Sequence, residues 1–137
     1  MAIFAFMITN LQDIIISHIN DNGKIQSNDS HQQGVAELAY KFGNGFGGGD
    51  IARITGLLHD KGKEQNDWQK YIQGVTGCNK EYAHIKSGPH HAYVGACIAQ
   101  KQYPQIAPFI AQTIARHLRT LYVTNYKLIH YEDTCAF

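Results

Sequence analysis

An all-α helical bundle is the fold class that this sequence predicts, built as one domain. Three observations carry it. Apolar residues recur at spacings of three and four in several separate stretches, the signature of amphipathic helices. No pair of alternating apolar and polar runs stands ready to form a sheet. The chain has 137 residues, 44% hydrophobic and 17% charged, an ordinary balance for a domain with a single core.

Leu11 to Ile19 is apolar enough for a first helix, and Asp21-Asn22-Gly23 turns the chain out of it. Asp29 or Ser30 is placed to cap the next helix, whose Val35, Leu38, Ala39 and Phe42 share one face. Gly43 to Gly49 holds five glycines and reads as a loop. Asp50 caps a helix through Ile51, Ile54, Leu57 and Leu58. Asp67 starts a short helix with Trp68, Tyr71 and Ile72 on its apolar side, and Gly74 to Pro89 reads as a loop. His90 to Gln100 forms an Ala- and Gly-rich helix suited to close packing, and Pro104 interrupts it. Gln105 to Leu121 is the longest periodic run, with Ile106, Phe109, Ile110, Thr113, Ile114 and His117 along one side. Tyr122 to Tyr126 has a strand-like composition. No internal repeat or domain boundary interrupts the chain.

Formal net charge is +1, so no global basic field advertises a polyanion, which a local patch or metal ions must then hold. Cys78, Cys97 and Cys135 are scattered and odd in number, with neither a disulfide framework nor zinc-knuckle spacing. A reducing, cytoplasmic setting is expected. Met1 to Ile8 is apolar but lacks a basic leader and a small-residue cleavage site. It is far shorter than the roughly 20 residues of a membrane span. It reads as a docking segment, and no membrane partner is expected.

Eight histidines are many for so short a chain. The most informative is His59, followed at once by Asp60 at the end of the apolar run Ile54–Leu58 and then by Lys61-Gly62-Lys63. Burying an imidazole and a carboxylate uncompensated is expensive. A divalent metal relieves this by taking both as ligands. His31 falls in the first turn of the Val35 helix, His91 opens the Gly95-Ala96 helix, and His117 lies on the Ile110–Ile114 face. Helical bundles build metal sites from such side chains converging from separate helices. Either His90 or His91 can supply the third-segment ligand, and the spacing to Gly95-Ala96 favours His91.

His59-Asp60-Lys61-Gly62-Lys63 resembles the signature of the HD metal-dependent phosphohydrolase superfamily, and so the HD-domain bundle. Four further segments stand in the same order, the first resembling the family's first histidine helix and the other three resembling the CRISPR-associated HD nucleases of type I interference. They are His31-Gln32-Gln33-Gly34-Val35-Ala36-Glu37-Leu38-Ala39, Asp67-Trp68-Gln69-Lys70-Tyr71-Ile72, His91-Ala92-Tyr93-Val94-Gly95-Ala96 and Ile114 to Tyr122. The resemblance spans residues 31 to 122, and the ordered series is far more specific than the HD pair alone.

The resemblance implies that His31, His59 and Asp60 hold one metal. It implies that Asp60 bridges to a second, held by His91 and His117, with Lys63 near the scissile phosphate. One or two divalent ions are expected, Mn, Fe, Co or Ni, with Mg a further candidate. The implied reaction is phosphodiester hydrolysis of single-stranded DNA in CRISPR interference, an antiviral defence. The implied partners are a helicase subunit or domain and a CRISPR surveillance complex. Two departures from the family pattern bear on activity. Leu118 stands where a second histidine is usual, and no later aspartate is well placed, Asp133 being poor by context. The domain therefore reads as truncated or altered at its C-terminus. Two other readings share these residues. One is an HD phosphohydrolase of nucleotides or cyclic dinucleotides, and the other a degenerate module that binds DNA or a partner protein without catalysis.

Blander readings accompany individual residues. Lys63 is read equally as a solvated charge, His84 as a solvated loop residue, and His18 and His130 as ordinary surface residues. Trp68, Tyr71 and Ile72 fit a core better than a base-stacking platform. The Gly45–Gly49 run lacks the Gly-Lys-Ser/Thr ending of a phosphate loop.

Overall fold

A computed structural model describes residues 14–116. Among the described residues five α-helices follow a short hairpin, so the fold class is all-α as predicted. They are α1 (Asn28–Asn44), α2 (Gly49–Leu58), α3 (Asn66–Val75), α4 (Ala92–Gln102) and α5 (Ala107–Arg116). Single 3-10 turns lie at Lys61–Glu64 and Lys80–Tyr82. The described chain falls into two compact units, residues 14–31 with 63–88 and residues 32–62 with 89–116.

The first unit opens with a correction. Where a helix was expected to run to Ile19, β1 (Ile16–Ile19) pairs antiparallel with β2 (Ile25–Ser27). The residues explain it. Ile14-Ile15-Ile16 is a β-branched run that favours extended backbone. The Asp21-Asn22-Gly23 turn, with Gly23 at φ 75°, folds the chain back on itself. A register irregularity between Ile16 and His18 marks a bulge. It breaks the alternation, and Ile16 and Ser17 are both buried. Ser27, rather than Asp29 or Ser30, caps α1, its Oγ accepting the Ser30 N–H at 3.2 Å. Helix α3 packs against β1, and its Trp68 is buried with the ring edge-on to Tyr71 at 6.4 Å.

The second unit holds an apolar cluster of Leu58, Ala96, Ala99, Ile110, Ala111 and Ile114 from α2, α4 and α5. Close approach is built in at Gly95. A Cβ there would overlap the Leu58 carbonyl oxygen and meet Ile114 Cγ2 at 3.0 Å. Gly95→Ala should therefore lower stability by about 1–3 kcal/mol, the usual penalty for overpacking a rigid neighbour, read as a fall in melting temperature.

Several expectations about faces and caps are corrected here. Helix α1 buries Gln32, Ala36 and Gly43, while Leu38 and Phe42 are exposed. Its Ala36 backbone packs on Gly56 of α2, so small residues win the interface and the large apolar ones face outward. The predicted glycine loop is shorter than expected, because Gly43 and Asn44 end α1 and Gly49 begins α2. Gly48, not Asp50, is the N-cap of α2. On α5, Phe109 and Thr113 are exposed and Ala107 and Ala111 take their place in the core. Cys97 is buried and disulfide-bonded, while Cys78 is free and exposed. None of the described helices is long and apolar enough to cross a membrane. Leu118, Tyr122 to Tyr126, His130 and Asp133 lie outside the described residues.

Candidate metal centre

His59 is the C-cap residue of α2, where its backbone N–H still reaches the Thr55 carbonyl. The side chain folds back on the same helix, with Nδ1 2.6 Å from the Gly56 carbonyl oxygen. A carbonyl oxygen only accepts, so Nδ1 is the donor and the neutral ring keeps its lone pair on Nε2. That Nε2 lies 3.3 Å from Asp60 Oδ2. On the other side, His91 Nε2 lies 3.3 Å from Asp60 Oδ1. Asp60 is 1% exposed and both histidines 8%. The carboxylate thus sits in the second unit with one imidazole nitrogen against each oxygen.

Each imidazole–carboxylate pair is spaced as two ligands of one divalent cation would be. At bond lengths of about 2.1 Å, two ligand atoms on one ion stand about 3.0 Å apart at a right angle and about 3.4 Å apart at the tetrahedral angle. Both nitrogen–oxygen separations of 3.3 Å fall in that interval. The His59 ring is also fixed as metal sites fix it, by its other nitrogen donating to a backbone carbonyl.

The glycine after the HD pair has a physical role. A Cβ on Gly62 would overlap the His91 carbonyl oxygen and stand 2.5 Å from its Cα. Only a bare backbone lets the start of α4 come so near the Asp60 turn. His91, the N-cap residue of α4, is thereby the one that meets Asp60, whereas His90 is exposed, its ring edge-on to Tyr93. His91→Ala should weaken Mn²⁺ binding by about 10–100-fold, the range that follows loss of groups supporting a metal site. His90→Ala should leave it unchanged, both measured by titration calorimetry.

The first unit collects a second group. Lys63 is 4% exposed, unusual for a lysine, so the reading of a solvated charge is corrected. Its Nζ donates to Ser17 Oγ at 3.3 Å and lies 3.3 Å from His18 Nε2 and 5.2 Å from the centre of the Trp68 ring. An ammonium only donates, so His18 Nε2 accepts and its ring proton sits on Nδ1. The His18 ring is edge-on to His31 at 4.6 Å, and His31 is half-buried in the first turn of α1. Sequence reasoning missed Ser17 and His18 as site residues. The signal was there in the isoleucine run and the Asp-Asn-Gly turn, which together place His18 on a hairpin strand. His84 is exposed, its Nδ1 bonded to the Glu81 carbonyl, as expected of a loop residue. His117 lies outside the described residues.

No curated protein and no solved structure matches the chain. A family model described as the HD domain matches residues 28–131, which take in His31, His59, Asp60, Lys63, His91 and His117. With most of its length matched, this chain belongs to the HD domain family, the superfamily of metal-dependent phosphohydrolases.

Proposed function

We propose that this protein is a metal-dependent HD nuclease that hydrolyses phosphodiester bonds of single-stranded DNA in CRISPR interference. Its proposed partners are a helicase and a surveillance complex. The observation that carries the hydrolase reading is Asp60 with His59 at one carboxylate oxygen and His91 at the other. A carboxylate so flanked matches the division of ligands that the family resemblance implies, His59 on one ion and His91 on the next. His31 and His117 complete the proposed set, and Mn, Fe, Co, Ni and Mg are the candidate ions. The ordered series of segments from His31 to Tyr122 supports DNA as the substrate over nucleotides or cyclic dinucleotides.

A bound metal would supply activation of water and charge stabilisation at the phosphoryl oxygens. The chain's own residues do the rest. His59 and His91 present Nε2 lone pairs, with His59 held in that tautomer by the Gly56 carbonyl. Asp60 neutralises cationic charge from the protein side. Lys63 faces the scissile phosphate and offsets the charge that builds on it.

The deciding experiment incubates the purified chain with single-stranded DNA, double-stranded DNA and a nucleotide panel, each with Mn²⁺, Co²⁺ or Ni²⁺. Cleavage of single-stranded DNA that is lost with Asp60→Ala is expected. Hydrolysis confined to nucleotides would move the substrate class. Equal cleavage by wild type and variant, or metal binding without any hydrolysis, would remove the nuclease reading.

A further inference from the structure

Gln69 makes more long-range hydrogen bonds than any function assigned to it explains. It lies on α3, in the first unit. Its Oε1 accepts the Ile16 N–H at 2.9 Å, and its Nε2 donates to the Ile16 carbonyl at 2.8 Å. The primary amide thus pairs with both backbone groups of a strand residue, as a neighbouring strand would. The same Nε2 donates its second hydrogen to the Lys63 carbonyl at 2.7 Å. One side chain therefore ties together the strand that carries Ser17 and His18 and the residue whose ammonium those two side chains hold.

We propose that Gln69 is a positioning residue for Lys63, and that the Ser17-His18 step of the hairpin is the cradle it sets. The proposal rests on the reading of Lys63 as the phosphate-facing lysine. The chemistry requires an amide at position 69. Two carbonyl oxygens need two N–H donors and one backbone N–H needs an acceptor, and among side chains of this length only glutamine offers both. Glutamate would set a carboxylate against two carbonyls, and leucine would leave all three backbone groups unsatisfied. The bulge at Ile16 to His18 makes the same point from the strand side. It turns Ser17 inward beside Ile16, so that the serine hydroxyl reaches Lys63 while the next residue supplies an imidazole lone pair. The tautomer of His18 is fixed by the ammonium it accepts from. A neutral hydroxyl and a neutral ring are thus two of the groups that orient Lys63.

The test uses the full chain labelled with ¹⁵N-lysine. A slowly exchanging ammonium signal, assigned by its loss in Lys63→Arg, is expected in wild type and absent in Gln69→Leu and Gln69→Glu. His18→Gln, which keeps an acceptor, should retain the signal, and His18→Leu should lose it. This second pair decides the matter if the Gln69 variants do not fold. Affinity of the Mn²⁺-loaded protein for inorganic phosphate should fall about tenfold in Gln69→Leu, as in Lys63→Met, with Mn²⁺ affinity unchanged. The double variant Gln69→Leu/Lys63→Met should lose no more than either alone. A folded Gln69→Leu with the Lys63 signal and phosphate affinity intact would overturn the proposal. So would loss of Mn²⁺ and phosphate binding in equal measure, which marks a general structural role. If wild type takes up neither Mn²⁺ nor phosphate, the hydrolase reading fails, and the lysine signal still decides for or against the cradle.

Discussion

Asp60→Asn removes metal-dependent stabilisation along with hydrolysis. In wild type, Mn²⁺ at a hundred times its dissociation constant adds about 2.7 kcal/mol by mass action, a rise of roughly 10 °C in melting temperature for a domain of this size. The variant keeps the shape of the side chain and the two histidines but loses the anion on which both converge. Its metal affinity should drop by more than about 100-fold, beyond the range for groups that only support the ligands. The added stability should vanish with it. Differential scanning fluorimetry with and without Mn²⁺ reads the first effect, and cleavage of single-stranded DNA reads the second. A variant that still gains the full wild-type increment would show that the ion is held elsewhere. The pairing of readouts matters, because loss of activity alone would also follow from a misfolded protein. Unchanged melting behaviour in the absence of metal excludes that.

The candidate metal centre was legible where local chemistry is strong. His59-Asp60 stands out because an apolar run ends on two groups that are costly to bury, and the structure does bury both. The preference for His91 over His90 followed from the helix spacing, and the Asp60 contact agrees with it. Helices α2 to α5 were legible for the same reason that faces were not. A 3.6-residue period announces a helix, but several faces of α1 read as apolar. The count of large side chains favours Leu38 and Phe42, whereas the backbone packs where side chains are smallest, at Ala36 and Gly43. Close approach rewards the absence of a side chain, and a hydrophobic pattern does not register an absence.

The hairpin was missed through a conflict of a different kind. Leu11 to Ile19 is rich in apolar residues around Ile14-Ile15-Ile16, a short run that periodicity alone cannot assign to helix or strand. The decisive evidence was the β-branched isoleucine run and a turn whose central glycine adopts positive φ. With the strand assigned to a helix, Ser17 and His18 fell on no particular face, and their approach to Lys63 had no sequence signature. Long-range polar contacts such as Gln69 to Ile16, 53 residues apart, are invisible to any local reading. The sequence therefore showed the candidate ligands through local chemistry, and hid the polar contacts that only the three-dimensional fold brings together.

Gly62→Ala is expected to do the most damage for the smallest change. Alanine is the better residue in most exposed turns, so a stability gain would be the ordinary outcome where the backbone permits it. Here the added methyl has no open side. It overlaps the carbonyl oxygen of His91 and lies 2.5 Å from its Cα, and both are backbone atoms that no rotamer change can move. The two segments must part, and the start of α4 carries the His91 ring with it. An imidazole at 3.3 Å from Asp60 is at ligand distance, and a shift of about 1 Å takes it outside the 3.0–3.4 Å interval that a shared ion allows. The variant should lose about 3 kcal/mol of stability, at the upper end of overpacking effects, and a hundredfold or so in Mn²⁺ affinity. Gly95→Ala separates the two consequences. Its methyl overlaps the Leu58 carbonyl within the apolar cluster, so it should cost stability with a smaller change in metal affinity. If Gly62→Ala binds Mn²⁺ as wild type does while Gly95→Ala does not, His91 is not placed by the Gly62 backbone. The tight packing after the HD pair would then serve the fold rather than the metal.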